Sequence, residues 1–126
     1  IRGQKWGIPT NVAMVLVHLH LHPEDSEPAA VAAANYFPRQ TITFILDLLE
    51  REGLAVRQPH PNDRRRKLVV LTSKGNDKAE EMVRDMIAFE SAALHTIEDV
   101  DLPRLQSFLT RYADALAAQN DRDLKA

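Results

Sequence analysis

Cysteine is absent from this chain. No disulfide can staple the fold and no thiol can sense oxidants, and the absence fits a cytoplasmic protein. Long apolar runs are missing too. No stretch approaches the ~18 residues of a membrane span, and no signal peptide is visible. There is no internal repeat and no low-complexity segment. Neither a nucleophile–base pair nor a phosphate-cradling loop appears, which argues against an enzyme and against a bound cofactor. Positive charge in excess is lacking as well: the net charge is −2, which taken whole argues against a nucleic-acid partner. What remains is a single domain of 126 residues with an ordinary apolar content, large enough for a core. The chain begins at Ile1 rather than Met, which implies residues upstream.

The distribution of charge reverses what the total suggests. From Arg51 to Lys74 there are seven Lys/Arg against two Asp/Glu, a local balance of +5. Residues 75–126 carry six basic and eleven acidic residues, and residues 1–50 carry three and five. The basic stretch lies inside the most ordered pattern in the chain, Pro38 to Gly75. Pro38 suits a first helical turn. Ile42, Ile45, Leu46, Leu48 and Leu49 recur near a helical period, and Gly53 is a stop signal. Leu54 to Val56 is a short apolar run, Pro59, Pro61, Asn62 and Asp63 make a turn-rich tip, and Lys67 to Leu71 suits a returning strand. Thr72 is a candidate N-cap for the next helix. A helix followed by a basic β-hairpin is the shape of a winged DNA-binding domain, with the helix in a major groove and the hairpin on the adjacent backbone or minor groove. The plain alternative is a solvated surface loop that happens to be basic.

The ordered series Leu49-Glu50, Gly53-Leu54, Arg57, Pro61, Asp63-Arg64-Arg65, Leu71-Thr72 and Lys74-Gly75 is similar to the wing signature of the MarR (multiple antibiotic resistance regulator) family of bacterial winged helix-turn-helix repressors. Looser similarity runs from about Trp6 to about Leu116. The resemblance implies a mainly α fold with a small β-hairpin wing: a DNA-binding lobe over about 10–75, then long C-terminal dimerisation helices over about 76–126. It implies a recognition helix presenting Arg39, Gln40, Thr41 and Thr43 at its N-terminal end. Gln pairs with adenine edges, Arg with guanine, and Thr with phosphates or a thymine methyl. At the wing it implies that Asp63 orients Arg65 through a salt bridge, with His60, Asn62 and Arg64 near a tip that reaches the minor groove. Which of Arg64, Arg65 and Arg66 inserts is left open by the spacing. In most relatives the helix-turn-helix turn carries Gly and the second helix opens with Ser. Here Tyr36 and Pro38 stand in those places.

Upstream of that lobe, Thr10 is a candidate N-cap for a helix over Asn11 to His22, between Pro9 and Pro23, and Trp6 reads as a packing residue. Val17 to His22 also alternates like a strand. In a helix His18 and His22 share a face and His20 points away; in a strand all three share one. His18 and His22 at i,i+4 are a two-ligand metal spacing, with Glu24, Asp25 and His95 to complete a set. The competing reading is a half-exposed helix end where the dipole favours cations. Pro23 to Pro28 is an acidic turn. Ala29 to Ala34 is a short helix of small residues, after which Asn35 can take a left-handed turn.

After Thr72 a helix is expected over about Lys74 to Glu98, with Ala79, Met82, Met86, Phe89, Ala93 and Ile97 on one stripe. Asp99 or Asp101 caps a last helix with Pro103 in its first turn and a stripe of Leu105, Phe108, Leu109, Tyr112 and Leu116. Two such helices outside a small lobe need something to bury against, and a two-fold partner is the economical answer. Relatives dimerise through their terminal helices, the first of which belongs upstream of Trp6. The resemblance thus implies a homodimer on double-stranded DNA with a roughly palindromic site. It also implies repression relieved by a small aromatic effector, with His18, Met86, Phe89 and Tyr112 as candidate pocket residues. Two other readings stand beside it: a winged-helix protein-interaction module that does not bind DNA, and a metal-responsive regulator using His18 and His22.

Overall fold

The structure, a computed structural model, describes residues 5–97 and 99–125. The chain divides into two compact units, one running to Phe89 and one from Glu90 onward. The elements in order are α1 (Thr10–Leu21), α2 (Pro28–Asn35), α3 (Arg39–Arg51), β1 (Ala55–His60), β2 (Asp63–Leu71), α4 (Ser73–Leu94) and α5 (Leu102–Lys125). The helix-rich order with one antiparallel hairpin is the winged helix-turn-helix that the sequence pattern implied.

Helix α1 settles the Val17–His22 ambiguity in favour of a helix. Val12, Ala13, Val15, Leu16 and Leu19 are buried at helical spacing, and a strand would have divided them between two faces. The helix begins one residue earlier than expected. Pro9 stands at the N-cap in an extended conformation and accepts from the Ala13 N–H, while Thr10 enters the first turn and caps nothing.

The next two helices end in the same way with different residues. After α2, the Phe37 N–H reaches the Ala32 carbonyl and the Tyr36 N–H the Ala33 carbonyl. After α3, the Leu54 N–H reaches Leu49 and the Gly53 N–H reaches Glu50. Each is the double hydrogen bond of a Schellman stop, which needs one residue at positive φ. Gly53 supplies it after α3 with φ +71, as its position predicts; Tyr36 supplies it after α2 with φ 57. The left-handed residue is therefore Tyr36, not Asn35. Asn35 stays helical and turns its side-chain amide back to the Val31 carbonyl, 2.9 Å away. Pro38 is likewise the N-cap of α3 rather than part of its first turn.

The hairpin is longer than expected because β2 starts at Asp63, not near Lys67. Ala55 pairs with Leu71 and the ladder runs evenly to Pro59 opposite Lys67, after which His60 pairs with Asp63. Arg64, Arg65 and Arg66 are thus accommodated over one step of β1, at the point where Pro59 has no N–H to offer. The Val69 N–H donates to the Ser26 carbonyl at 2.9 Å, which ties the hairpin to the α1–α2 connection.

Thr72 caps α4 as anticipated. Its hydroxyl donates to the Gly53 carbonyl and accepts from the Gly75 N–H. Gly75 is buried against the Leu54 carbonyl, close enough that a Cβ there would lie 1.9 Å from that oxygen. Trp6 is buried, its indole N–H donating to Asp85 on α4 at 3.0 Å. One apolar cluster joins Trp6, α1, α2, α3, the hairpin and the first turns of α4 as far as Met82. Helix α4 ends at Leu94, short of the expected boundary, and Ile97 lies beyond it; Glu98 falls outside the described residues. Of the two cap candidates for α5, Asp101 is the one used, accepting from the Arg104 N–H at 3.1 Å.

Candidate nucleic-acid interface

Helix α3 turns Ile42, Ile45, Leu46 and Leu49 into the core. That choice presents Arg39, Gln40, Thr43, Phe44 and Asp47 to solvent, while Thr41 is half-buried. Arg39 and Gln40 occupy the first turn, where a recognition helix presents side chains to base edges. The Thr43 hydroxyl is already used, donating to the Arg39 carbonyl at 3.0 Å.

The wing stands beside this face, held there by two ion-paired arginines in addition to its backbone tie to Ser26. Arg57 on β1 reaches across to α3, its guanidinium 2.5 Å from Asp47 and 3.5 Å from Glu50, while its backbone N–H donates to Glu50 at 3.0 Å. Arg66 on β2 pairs with Glu27, the residue that precedes α2. The hydrogen bond from Arg66 to Glu27 raises the guanidinium pKa. Arg66, one of the expected DNA contacts, is engaged in this structure as a strut between wing and helix-turn-helix.

At the tip, the Asn62 N–H donates to His60 Nδ1 and the Arg65 N–H donates to Asp63 Oδ1, each at 3.0 Å. The anticipated Asp63–Arg65 ion pair is replaced by this backbone bond. The aspartate shapes the tip through that bond. Arg64 and Arg65 have no side-chain hydrogen bond or ion pair among the described residues, and both are exposed. They are the cations at the tip that can meet phosphate or enter a narrow groove.

The remaining candidates lie on other elements. His18 Nε2 lies 3.2 Å from the Asp25 carbonyl, and its ring tilts against His22 with centroids 5.4 Å apart. His22 pairs with Glu24, and His20 meets Asn76 at the start of α4. Among the described residues no three ligating side chains gather as a metal site. Of the candidate effector-pocket residues, Met86 and Phe89 are exposed beyond the last buried turn of α4. Tyr112, in the second unit, lies parallel to Phe108 at 6.0 Å. Sequence reasoning passed over Phe44, Asp47 and Arg57 as interface residues. The available signal was the helical wheel of α3, which sets Phe44 and Asp47 opposite the core stripe.

The MarR family model matches residues 6–66. Among solved structures, a MarR family transcription regulator superposes with a TM-score of 0.76 at 26% identity, over 93% of this chain and 79% of that one. The Staphylococcus aureus regulator of the multidrug efflux pump MepA, MepR, matches at TM-score 0.71 and 22% identity, over 90% of this chain and 83% of that one. Its DNA complex matches at 0.67 and 22%, over 91% and 86%. MepR bound to ethidium bromide matches at 0.63 and 24%, over 86% and 79%.

Proposed function

This chain belongs to the MarR family of transcription regulators, and from that premise we propose that it is a homodimeric, sequence-specific repressor released by a small molecule. The observation that carries the reading is the union of two surfaces. Helix α3 exposes Arg39, Gln40 and Phe44, and a basic wing is strapped beside it by Arg57–Asp47 and Arg66–Glu27. The struts hold the wing in one relation to the helix. Binding of the helix in a major groove then delivers Arg64 and Arg65 to the neighbouring backbone or minor groove without further ordering.

The second unit supports the two-fold assembly. Leu105, Phe108, Leu109, Tyr112 and Leu116 lie along one side of α5, and none is buried within the chain. Pairing of that stripe with a second copy would set two recognition helices on a roughly palindromic site, with half-sites about one helical turn apart. The effector in this reading is a small aromatic compound. MepR's binding of ethidium bromide supports the chemical class, and His18, Met86, Phe89 and Tyr112 remain the candidate contacts. Such a ligand acts only through its different affinity for the DNA-competent and DNA-incompetent forms. No helix among the described residues is long and apolar enough to cross a membrane. A regulator with DNA as its partner would act in the cytoplasm.

The test is binding to the protein's own upstream intergenic duplex across a salt series, against a scrambled duplex of equal composition. Tight, salt-sensitive binding that rejects the scramble is the expected result. Replacing Arg64 and Arg65 together by Ala should then weaken binding by roughly tenfold or more and flatten the salt dependence. Equal affinity for both duplexes would remove the sequence-specific reading, and no affinity for either would favour a protein partner at the wing.

A further inference from the structure

Phe44 is out of place on a solvent-facing helix surface. It is 61% exposed, yet it sits at the middle of α3 and belongs to no part of the apolar cluster. At about 100° per residue, Ile42, Ile45, Leu46 and Leu49 cover one side of the helix, and Gln40, Phe44 and Asp47 fall together on the other. Gln40 and Phe44 are one turn apart, so their side chains are neighbours along that face. Asp47, the next residue along it, would repel phosphates, but the Arg57 guanidinium stands 2.5 Å from its carboxylate. The face therefore presents an amide beside a phenyl ring, bordered by a neutralised carboxylate.

A B-form major groove offers a phenyl ring one apolar partner, the C5-methyl group of thymine, and it offers a Gln amide the N6/N7 edge of adenine. We infer that Phe44 is a specificity-determining residue that reads a thymine methyl in each half-site, next to an adenine read by Gln40. The inference rests on the reading of α3 as a major-groove helix and adds the base that its exposed aromatic side chain selects.

The experiment begins by selecting bound duplexes from a randomised pool with the full chain. Each thymine of the recovered site is then replaced singly by deoxyuridine, which lacks only the methyl group. One position per half-site should weaken binding roughly fourfold, the effect of one buried methyl-sized group. Phe44→Ala should lose affinity for the thymine duplex and become indifferent to that replacement, while Phe44→Leu should retain part of the discrimination. Arg64→Ala should weaken binding to thymine and uracil duplexes alike. Unchanged thermal melting of the Phe44 variants checks that the fold survives. If no deoxyuridine position matters, or Phe44→Ala still prefers thymine, the inference is overturned while the regulator reading stands. If the pool yields no enriched sequence, both fall together.

Discussion

Tyr36 and Gly53 do the same backbone work with unequal ease. Both take a left-handed conformation to end a helix, but Tyr36 carries a Cβ that such a conformation disfavours by about 1–2 kcal/mol. The residue is 94% exposed, so no packing offsets that strain within the chain. Tyr36→Gly should therefore stabilise the protein by up to ~1 kcal/mol after the extra entropy of an unfolded glycine is deducted. A rise of a few degrees in the melting midpoint would report it, and a fall would mean that the ring makes a contact worth more than the strain. Gly75 is the opposite case. Its backbone lies in an ordinary helical conformation, and the constraint is space: an added Cβ would meet the Leu54 carbonyl, which cannot swing aside as a side chain could. Gly75→Ala should cost ~2–4 kcal/mol in urea denaturation. The Lys-Gly pair at the start of α4 was legible as part of the family signature; Gly75 answers to this close approach, and the Lys74 ammonium donates to the Glu52 carbonyl at 2.8 Å.

The hairpin and α3 act as one element because of Arg57. Two carboxylates, Asp47 and Glu50, share its guanidinium, on the side of α3 from which DNA would approach. Arg57→Ala should leave both carboxylates unneutralised and remove one of the wing's struts, weakening DNA binding by roughly tenfold at low salt and less as salt screens the repulsion. Adding Asp47→Asn should recover part of the loss in a binding titration. If it recovers nothing, Arg57 matters for wing position alone. The spacing of Leu49, Gly53, Arg57, Asp63, Arg64 and Arg65 was enough to read a helix and a wing. It was not enough to assign roles within the run Arg64-Arg65-Arg66. The register step opposite Pro59 and the location of Glu27, 39 residues earlier, divide that run into tip cations and a strut.

At the scale of the whole molecule the chain carries an unsatisfied face. Along α4 burial stops at Met82, and α5 buries none of its residues within the chain. Leu109→Glu removes no core contact of the chain itself, so its effect isolates assembly. In the homodimer we propose, it should convert the protein to monomers in sedimentation and lower affinity for a full two-half-site duplex by roughly tenfold or more. A dimer that persists would place the interface elsewhere.

The sequence alone determined the periods of α3, α4 and α5, the wing, the concentration of positive charge on it and the stripes of the last two helices. These are local matters of spacing and turn chemistry, readable over one or two turns. Tertiary structure decided the rest. It chose Tyr36 over Asn35 as the left-handed residue, made α1 a helix through to Leu21, turned Asp63 to a backbone N–H, and set Arg66 on Glu27 and Arg57 on Asp47. The two ion pairs depend on groups brought together by packing, and there a carboxylate or cation takes the partner the fold delivers rather than the one nearest in sequence.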